Sequence, residues 1–252
     1  MSTLPSFRQV FAPDEAGSRV VALQSGPLVH IPRLLPSVDA GSPLGAQLDS
    51  VLERMRSIVG EAGGGLDDIA RVTLFMREVK DRRTLNDVWS RWFPDPEHRP
   101  PHKYVPAEVP GGYAVMLDAL AVLDGERKTL KIAGVEHRDP MAMGSRTGRL
   151  VCSSRLFAAE PNPDKQFSVL LEQARVLMAE AGGDLADLTQ VTVFAPTPAA
   201  AAAMEQLCRA YWADAQSPPD LHVLVMDLGG TPTCRIEVMG VLSGAAPSPA
   251  GG

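Results

Sequence analysis

The sequence is poor in the features that mark several functional classes. Across 252 residues the formal net charge is -6, with 24 Lys and Arg against 30 Asp and Glu. Proteins held to nucleic acid by phosphate contacts concentrate Lys and Arg, so this balance argues against such a partner and against docking on an anionic membrane. No apolar run approaches the roughly 20 residues that span a bilayer. Residues 1–11 lack the basic stretch and following apolar stretch of a secretory leader. There are three cysteines, Cys152, Cys208 and Cys234. Their odd number and the lack of a CxxC spacing point to neither a disulfide framework nor a zinc site, and fit a reducing cytoplasm. The five histidines are scattered, with no HExxH pairing. No metal and no other cofactor is expected. The run Gly63-Gly64-Gly65 follows a helical pattern and lacks both GxGxxG and GxxxxGK[ST], so no nucleotide loop is implied.

What the sequence has is a repeat. Glu61 to Phe75 reads EAGGGLDDIARVTLF, and Glu180 to Phe194 reads EAGGDLADLTQVTVF; nine of fifteen positions are identical at an offset of 119. The same offset pairs Gln47 with Gln166, Glu53 with Glu172, Arg56 with Arg175, Trp92 with Tyr211, and Asp118 with Glu237. A period this long exceeds the roughly 20–50 residues of a solenoid unit, so each copy is a domain. The expected domains are 17–125 and 139–243, joined near Gly125 to Asp139 and followed by a mobile Pro/Gly-rich tail, 243–252.

Within each copy the hydrophobic spacing predicts the order β-β-α-β-α-β-β. Leu48, Val51, Leu52, Met55, Ile58 and Val59 recur at helical spacing, as do Phe167, Leu170, Leu171, Ala174, Leu177 and Met178. Each helix stops at a Gly-Gly pair, where a left-handed residue is cheap. Strands are expected at 19–23, 28–31, 69–75, 104–108 and 113–123, and at 142–144, 150–153, 188–194, 222–227 and 234–242. Second helices are expected at 85–92 and 199–212. The fold class is α+β, with helices on one face of a mostly antiparallel sheet. The other face then needs cover from another copy or chain, a physical reason to expect homo-oligomers.

The helix ending in AGG, the LxD that follows and the VTVF-like strand resemble the RidA/YjgF family, as do the segment NDVWSRWF and the hairpin VPGGYAVMLDALAVL. That resemblance implies a chorismate-mutase-like fold, trimers with clefts between neighbouring domains, and hydrolysis of 2-imino or enamine acids to 2-oxo acids and ammonia. It also implies an arginine that grips the substrate carboxylate and a glutamate that positions water. Carried over by position, the arginine falls on Pro101 and Asp220, and the glutamate on Met116 and Arg235. The serine-glycine turn becomes Ile31-Pro32 and Ser153-Ser154. Asn86 and Ser153 alone keep the family's residue types. A carboxylate clamp needs the planar guanidinium fork, which proline and aspartate lack, so the conventional arginine/glutamate site is missing from both copies.

Other residues offer a replacement. His222 and His102 are candidate general acids or bases. Lys103 is a candidate anion binder or Schiff-base amine. Arg235, Arg155, Arg33, Ser153, Asn86 and Asp220 are candidate substrate-binding residues. A cleft between unlike copies would unite a cation, a histidine and a carboxylate. Each has a plainer reading: strand-edge histidines, a solvated lysine, arginines in assembly salt bridges, and Asp118 and Glu237 as structural carboxylates. Cys152 reads as a small buried hydrophobe. The expectation is a divergent RidA-like enzyme handling a small imine, enamine or organic acid by hydrolysis or proton transfer. The alternative is a non-catalytic binding or scaffold protein of the same fold. The partner is a small-molecule substrate rather than nucleic acid or membrane. Three chains are expected to form two pseudo-trimeric rings.

Overall fold

The computed structural model describes residues 7–14, 17–77 and 82–244. The first six residues and most of the expected tail, 245–252, lie outside that range. Two compact units emerge: 1–129 with 137–142, and 130–136 with 143–252. The expected linker is therefore shared between them.

The first unit contains β1 (Phe7–Asp14), β2 (Gly17–Ser25), β3 (Leu28–Leu34), α1 (Leu44–Glu61), β4 (Ile69–Met76), α2 (Arg82–Trp92), β5 (His102–Pro106) and β6 (Val115–Val122). Its sheet has the order β1-β2-β3-β6-β4-β5, with β4 and β5 parallel and every other pair antiparallel. Alternation along the strands sends Val72, Leu74, Leu117, Ala119, Val29 and Ile31 toward the helices, where they form one core with Leu48, Met55, Val59 and Trp89.

After β7 (Arg127–Leu130), the second unit contains β8 (Gly144–Thr147), β9 (Leu150–Ser153), β10 (Leu156–Phe157), α3 (Pro163–Glu180), β11 (Leu188–Ala195), α4 (Pro198–Tyr211), β12 (Asp220–Val225) and β13 (Arg235–Val241). Its strands run β12-β11-β13-β9-β8, and β10 pairs with β13. Here too one pair, β11 with β12, is parallel. Val191, Val193, Ile236 and Val238 pack with Leu170, Leu177, Met178 and Met204.

The repeat is visible in local chemistry. Gly63 and Gly182 end their helices at φ 98° and φ 87°. The following glycines are needed for space. A Cβ at Gly64 would lie 2.6 Å from Leu123, and one at Gly183 would lie 2.5 Å from Leu242. Gln47 and Gln166 are both buried and tie helix to loop. Gln47 donates to the carbonyls of Ala40 and Ser42 and accepts from Ala114 N–H, all at 2.8 Å. Gln166 donates to Ala158 and Cys234 at 3.2 and 3.4 Å and accepts from Cys234 N–H at 3.2 Å.

Some strand bounds differ from expectation. The sequence pattern starts β5 at 104 and β12 at 222; the structure starts both two residues earlier, directly after Pro100-Pro101 and Pro218-Pro219. A Pro-Pro pair cannot extend a helix, and it delivers the chain already extended. β12 ends before Asp227, whose carboxylate accepts from Gly229 N–H at 2.8 Å and closes a turn. β8 begins at Gly144, where the expected strand ends. β1 was not anticipated. Among the described residues no helix is long and apolar enough to cross a membrane.

Candidate functional site

Strand register decides which predicted residues meet. In the second unit, β11 lies between β12 and β13. Thr192 is opposite His222 on one side and Glu237 on the other. Phe194 is opposite Leu224 and Arg235, and Gln190 is opposite Asp220. Because Val191 and Val193 face the helices, Gln190, Thr192 and Phe194 occupy the helix-free face together with Asp220, His222, Arg235 and Glu237. Arg155, two residues beyond β9, returns to this face and places its guanidinium 4.2 Å from the centre of the Phe194 ring. Its Nη2 lies 3.8 Å from Met226 Sδ. Arg235 reaches Thr231 Oγ1 at 3.5 Å.

The result is a sheet face graded in burial. Phe194, Thr192, Glu237 and Arg155 are buried, Arg235 half-buried, and His222 and Asp220 exposed on the edge strand. Gln190 Nε2 donates to Thr192 Oγ1 at 2.9 Å, which fixes the hydroxyl at the centre of the row. One guanidinium, that of Arg155, therefore packs on the Phe194 ring, and Arg235 stands across the strand from Phe194, one residue pair along from an exposed imidazole. Guanidinium forks suit a carboxylate, and the imidazole suits proton transfer.

Ser153 does not join this group. It is fully buried, and its Oγ accepts the Val238 N–H at 2.8 Å, filling a gap in the β9–β13 ladder. That hydroxyl serves the backbone.

The first unit is arranged differently. Lys103 faces away from the helices in a row with Thr73 and Asp118, equivalent to the row of His222, Thr192 and Glu237. Met116 stands opposite Phe75 where the second unit has Arg235 opposite Phe194. His102 points the other way, into the core. It is 1% exposed, and its ring centre lies 4.1 Å from that of Trp89. Burial pushes its pKa down to about 3, and His137 and Arg99 press in the same direction. It is a neutral core histidine at physiological pH. Asn86, on α2, donates to Asp139 Oδ1 at 2.8 Å on the helix side of the sheet. Arg33 is exposed at a bulge in β3, at φ 49°, where its N–H donates to Asp118 Oδ1 at 2.5 Å. Hence Asn86, His102, Arg33 and Lys103 do not form one site.

The reading from sequence passed over Thr192, Phe194 and Glu237 as functional neighbours. The VTVF motif held the signal, since its alternate residues must share the face of His222 and Arg235. The thiols are not part of the site's chemistry. Burial raises the Cys208 pKa to about 12 and raises that of Cys234, so both stay protonated. Among the described residues no cluster of three or more His, Cys, Asp or Glu could hold a metal ion.

Residues 17–123 match the family described as endoribonuclease L-PSP. A RutC family protein of Pyrococcus abyssi is 34% identical over 47 residues, covering 19% of this chain and 37% of that protein. The mitochondrial protein MMF1 of Saccharomyces cerevisiae is 23% identical over 127 residues, covering 48% of this chain and 86% of that protein. Among solved structures, Rv2704 of Mycobacterium tuberculosis, described as a member of the YjgF/YER057c/UK114 family, is 26% identical with a TM-score of 0.40; the match covers 47% of this chain and all of that one. A Thermotoga maritima protein described as a putative endoribonuclease is 24% identical with a TM-score of 0.40, covering 50% of this chain and all of that one. Over residues 17–123, less than half of its length, the chain is thus similar to the family described as endoribonuclease L-PSP.

Proposed function

We propose that the chain is a divergent RidA-like enzyme that hydrolyses, or moves a proton on, a small imine, enamine or organic acid, with the helix-free face of the second unit as its site. One observation carries this reading: Arg155 packs on Phe194, the cross-strand partner of Arg235, on the sheet face whose neighbouring strand position presents His222. The two guanidinium groups hold the substrate carboxylate. His222 takes a proton from water as the oxygen adds to the imine carbon and passes it to the nitrogen, giving a carbinolamine; it then takes the hydroxyl proton as the carbonyl forms and gives it to the nitrogen as the C–N bond breaks. Ammonia and a 2-oxo acid leave. Asp220, two residues before His222 on the same edge strand, faces the same approach. Ser153 supports the strand that delivers Arg155.

The first unit fits the second reading, a scaffold. Met116 and Phe75 occupy the positions that hold Arg235 and Phe194 in its sister, and Pro101 is buried. The net charge of -6 weighs against RNA as substrate, whatever the family's description. A reducing compartment such as the cytoplasm suits three buried free thiols.

The test is incubation with 2-iminopropionate generated in situ. Wild-type protein should release pyruvate faster than buffer. H222A should lower kcat by about 100-fold, as loss of a general acid–base group does. R235A should lower kcat/KM by roughly 10- to 100-fold, the value of a charge-assisted contact. Pyruvate release no faster than buffer removes the imine activity, and an unchanged rate in H222A removes that residue from the chemistry.

A further inference from the structure

The edge strand of the second unit sorts its side chains by chemistry. Alternation puts Asp220, His222 and Leu224 on the helix-free face. The Met226 N–H donates to Ala195 O at 2.9 Å and carries the ladder one residue beyond β12. Its Sδ lies 3.8 Å from Arg155 Nη2, so Met226 reaches the same face. The row therefore runs carboxylate, imidazole, isobutyl group, thioether. Leu224 is the cross-strand partner of Phe194, which stands opposite Arg235 on its other side. Phe194 is fully buried, with the Arg155 guanidinium over its ring. Leu224 is 44% exposed and Met226 half-buried. The apolar surface left open on this stretch of the face is theirs rather than the ring's.

The repeat supplies an internal contrast. At the offset of 119, His222, Leu224 and Met226 correspond to Lys103, Val105 and Ala107. The backbone is the same. Val105 is opposite Phe75 as Leu224 is opposite Phe194, and the Ala107 N–H donates to Met76 O at 3.0 Å. The side chains differ. The first unit has the shorter pair, valine and alanine, and it has Met116 where the second has Arg235. The long apolar side chains thus occur beside the guanidinium and are missing from the equivalent positions of the unit that lacks it.

A lone exposed leucine is ordinary on a protein surface. This one is set apart by its neighbours. Leu224 lies about 6.6 Å along the strand from His222 and one strand spacing, about 4.8 Å, from Phe194. A 2-imino acid with its carboxylate on a guanidinium and its imine carbon at His222 has only its side chain left to place, and the surface beside both groups is Leu224 and Met226.

We propose that Leu224 and Met226 form the side-chain subsite, so that the site selects 2-imino acids with a branched or extended apolar side chain over alanine-sized and acidic ones. The inference rests on the reaction site proposed above and names its substrate class. An apolar side chain laid on the leucine and the thioether removes both from water, and the flexible methionine adapts to its shape. A second carboxylate would lose hydration there and gain no partner.

The probes are three 2-oxo acids of the kind such hydrolysis releases: pyruvate, 4-methyl-2-oxopentanoate and 2-oxoglutarate. Each is titrated into the full chain by calorimetry. 4-Methyl-2-oxopentanoate should bind about tenfold more tightly than pyruvate, the value of a few partly buried methylenes. 2-Oxoglutarate should bind no more tightly than pyruvate. In L224A the preference for the branched acid over pyruvate should shrink to about threefold or less, and L224A/M226A should abolish it. V105A, the matching change in the first unit, should keep the wild-type preference. Circular dichroism checks that each variant is folded. If pyruvate binds and R235A weakens it, yet the three acids bind alike or L224A keeps the full preference, the subsite falls and the reaction site stands. If none of the acids binds, both fall. A molar mass altered by L224A in light scattering would assign Leu224 to a contact between chains and would also overturn the subsite.

Discussion

His102 shows how a residue with catalytic chemistry can be spent on packing. Its imidazole stacks on Trp89, is 1% exposed, and is held neutral by burial, with a pKa near 3. An unfolded histidine titrates near 6.5. The folded pKa is depressed, so the stabilisation is complete above pH 6.5 and is lost as pH falls from 6.5 toward 3, at about 1.4 kcal/mol per pH unit. Urea unfolding should show the wild type losing about 2 kcal/mol more than H102F between pH 7 and pH 5. Equal losses in the two proteins would mean that His102 is solvated. The residue's chemistry was legible in the sequence and its direction was not. In HKYVP every second residue faces the helices, and only register against Val72 shows that His102 belongs to the buried set. Lys103, its neighbour, faces the other way for the same reason.

At the scale of elements, the paired glutamines hold the design together. Gln47 and Gln166 each make three hydrogen bonds from a buried helix position to the loops beside the last strand. Replacing either with leucine leaves buried carbonyl and amide groups unpaired, at about 1–3 kcal/mol for each group that water cannot reach. Q47L and Q166L should each lower the unfolding midpoint by several degrees in calorimetry, Q47L more, because its bonds are shorter. A midpoint unchanged in both would deny the glutamines this role. The glutamine pair was visible as part of the repeat, but its bonding was not, since its partners are backbone atoms whose position depends on the fold. α1 and α3 followed from apolar spacing, and so did the glycine pairs that end them. β1 escaped notice because FRQVFAPD has no clean alternation and includes a proline, and its register comes from pairing with β2. The early starts of β5 and β12 come from proline pairs that a hydrophobicity pattern does not register.

At the scale of the molecule, the two units carry different side chains on equivalent sheet positions. The equivalent rows Lys103–Thr73–Asp118 and His222–Thr192–Glu237 share geometry, and in the second unit Arg155 packs on Phe194, which stands opposite Arg235. The repeat and the missing family residues could be read directly from the sequence. The proposed site could not, because Arg155, Phe194, His222 and Arg235 lie on four separate segments that only strand pairing unites. The proposed assembly of three chains, which would cover sheet faces, predicts that light scattering returns about three times 26.9 kDa. A monomeric mass would reject that arrangement. The central claim is that the working face belongs to the second unit, and the direct measurement is binding of pyruvate, the expected 2-oxo acid product, to the wild type, R235A and K103A by calorimetry. The account predicts that K103A binds as the wild type does and that R235A loses at least about tenfold in affinity; undiminished binding to R235A together with loss in K103A would contradict it.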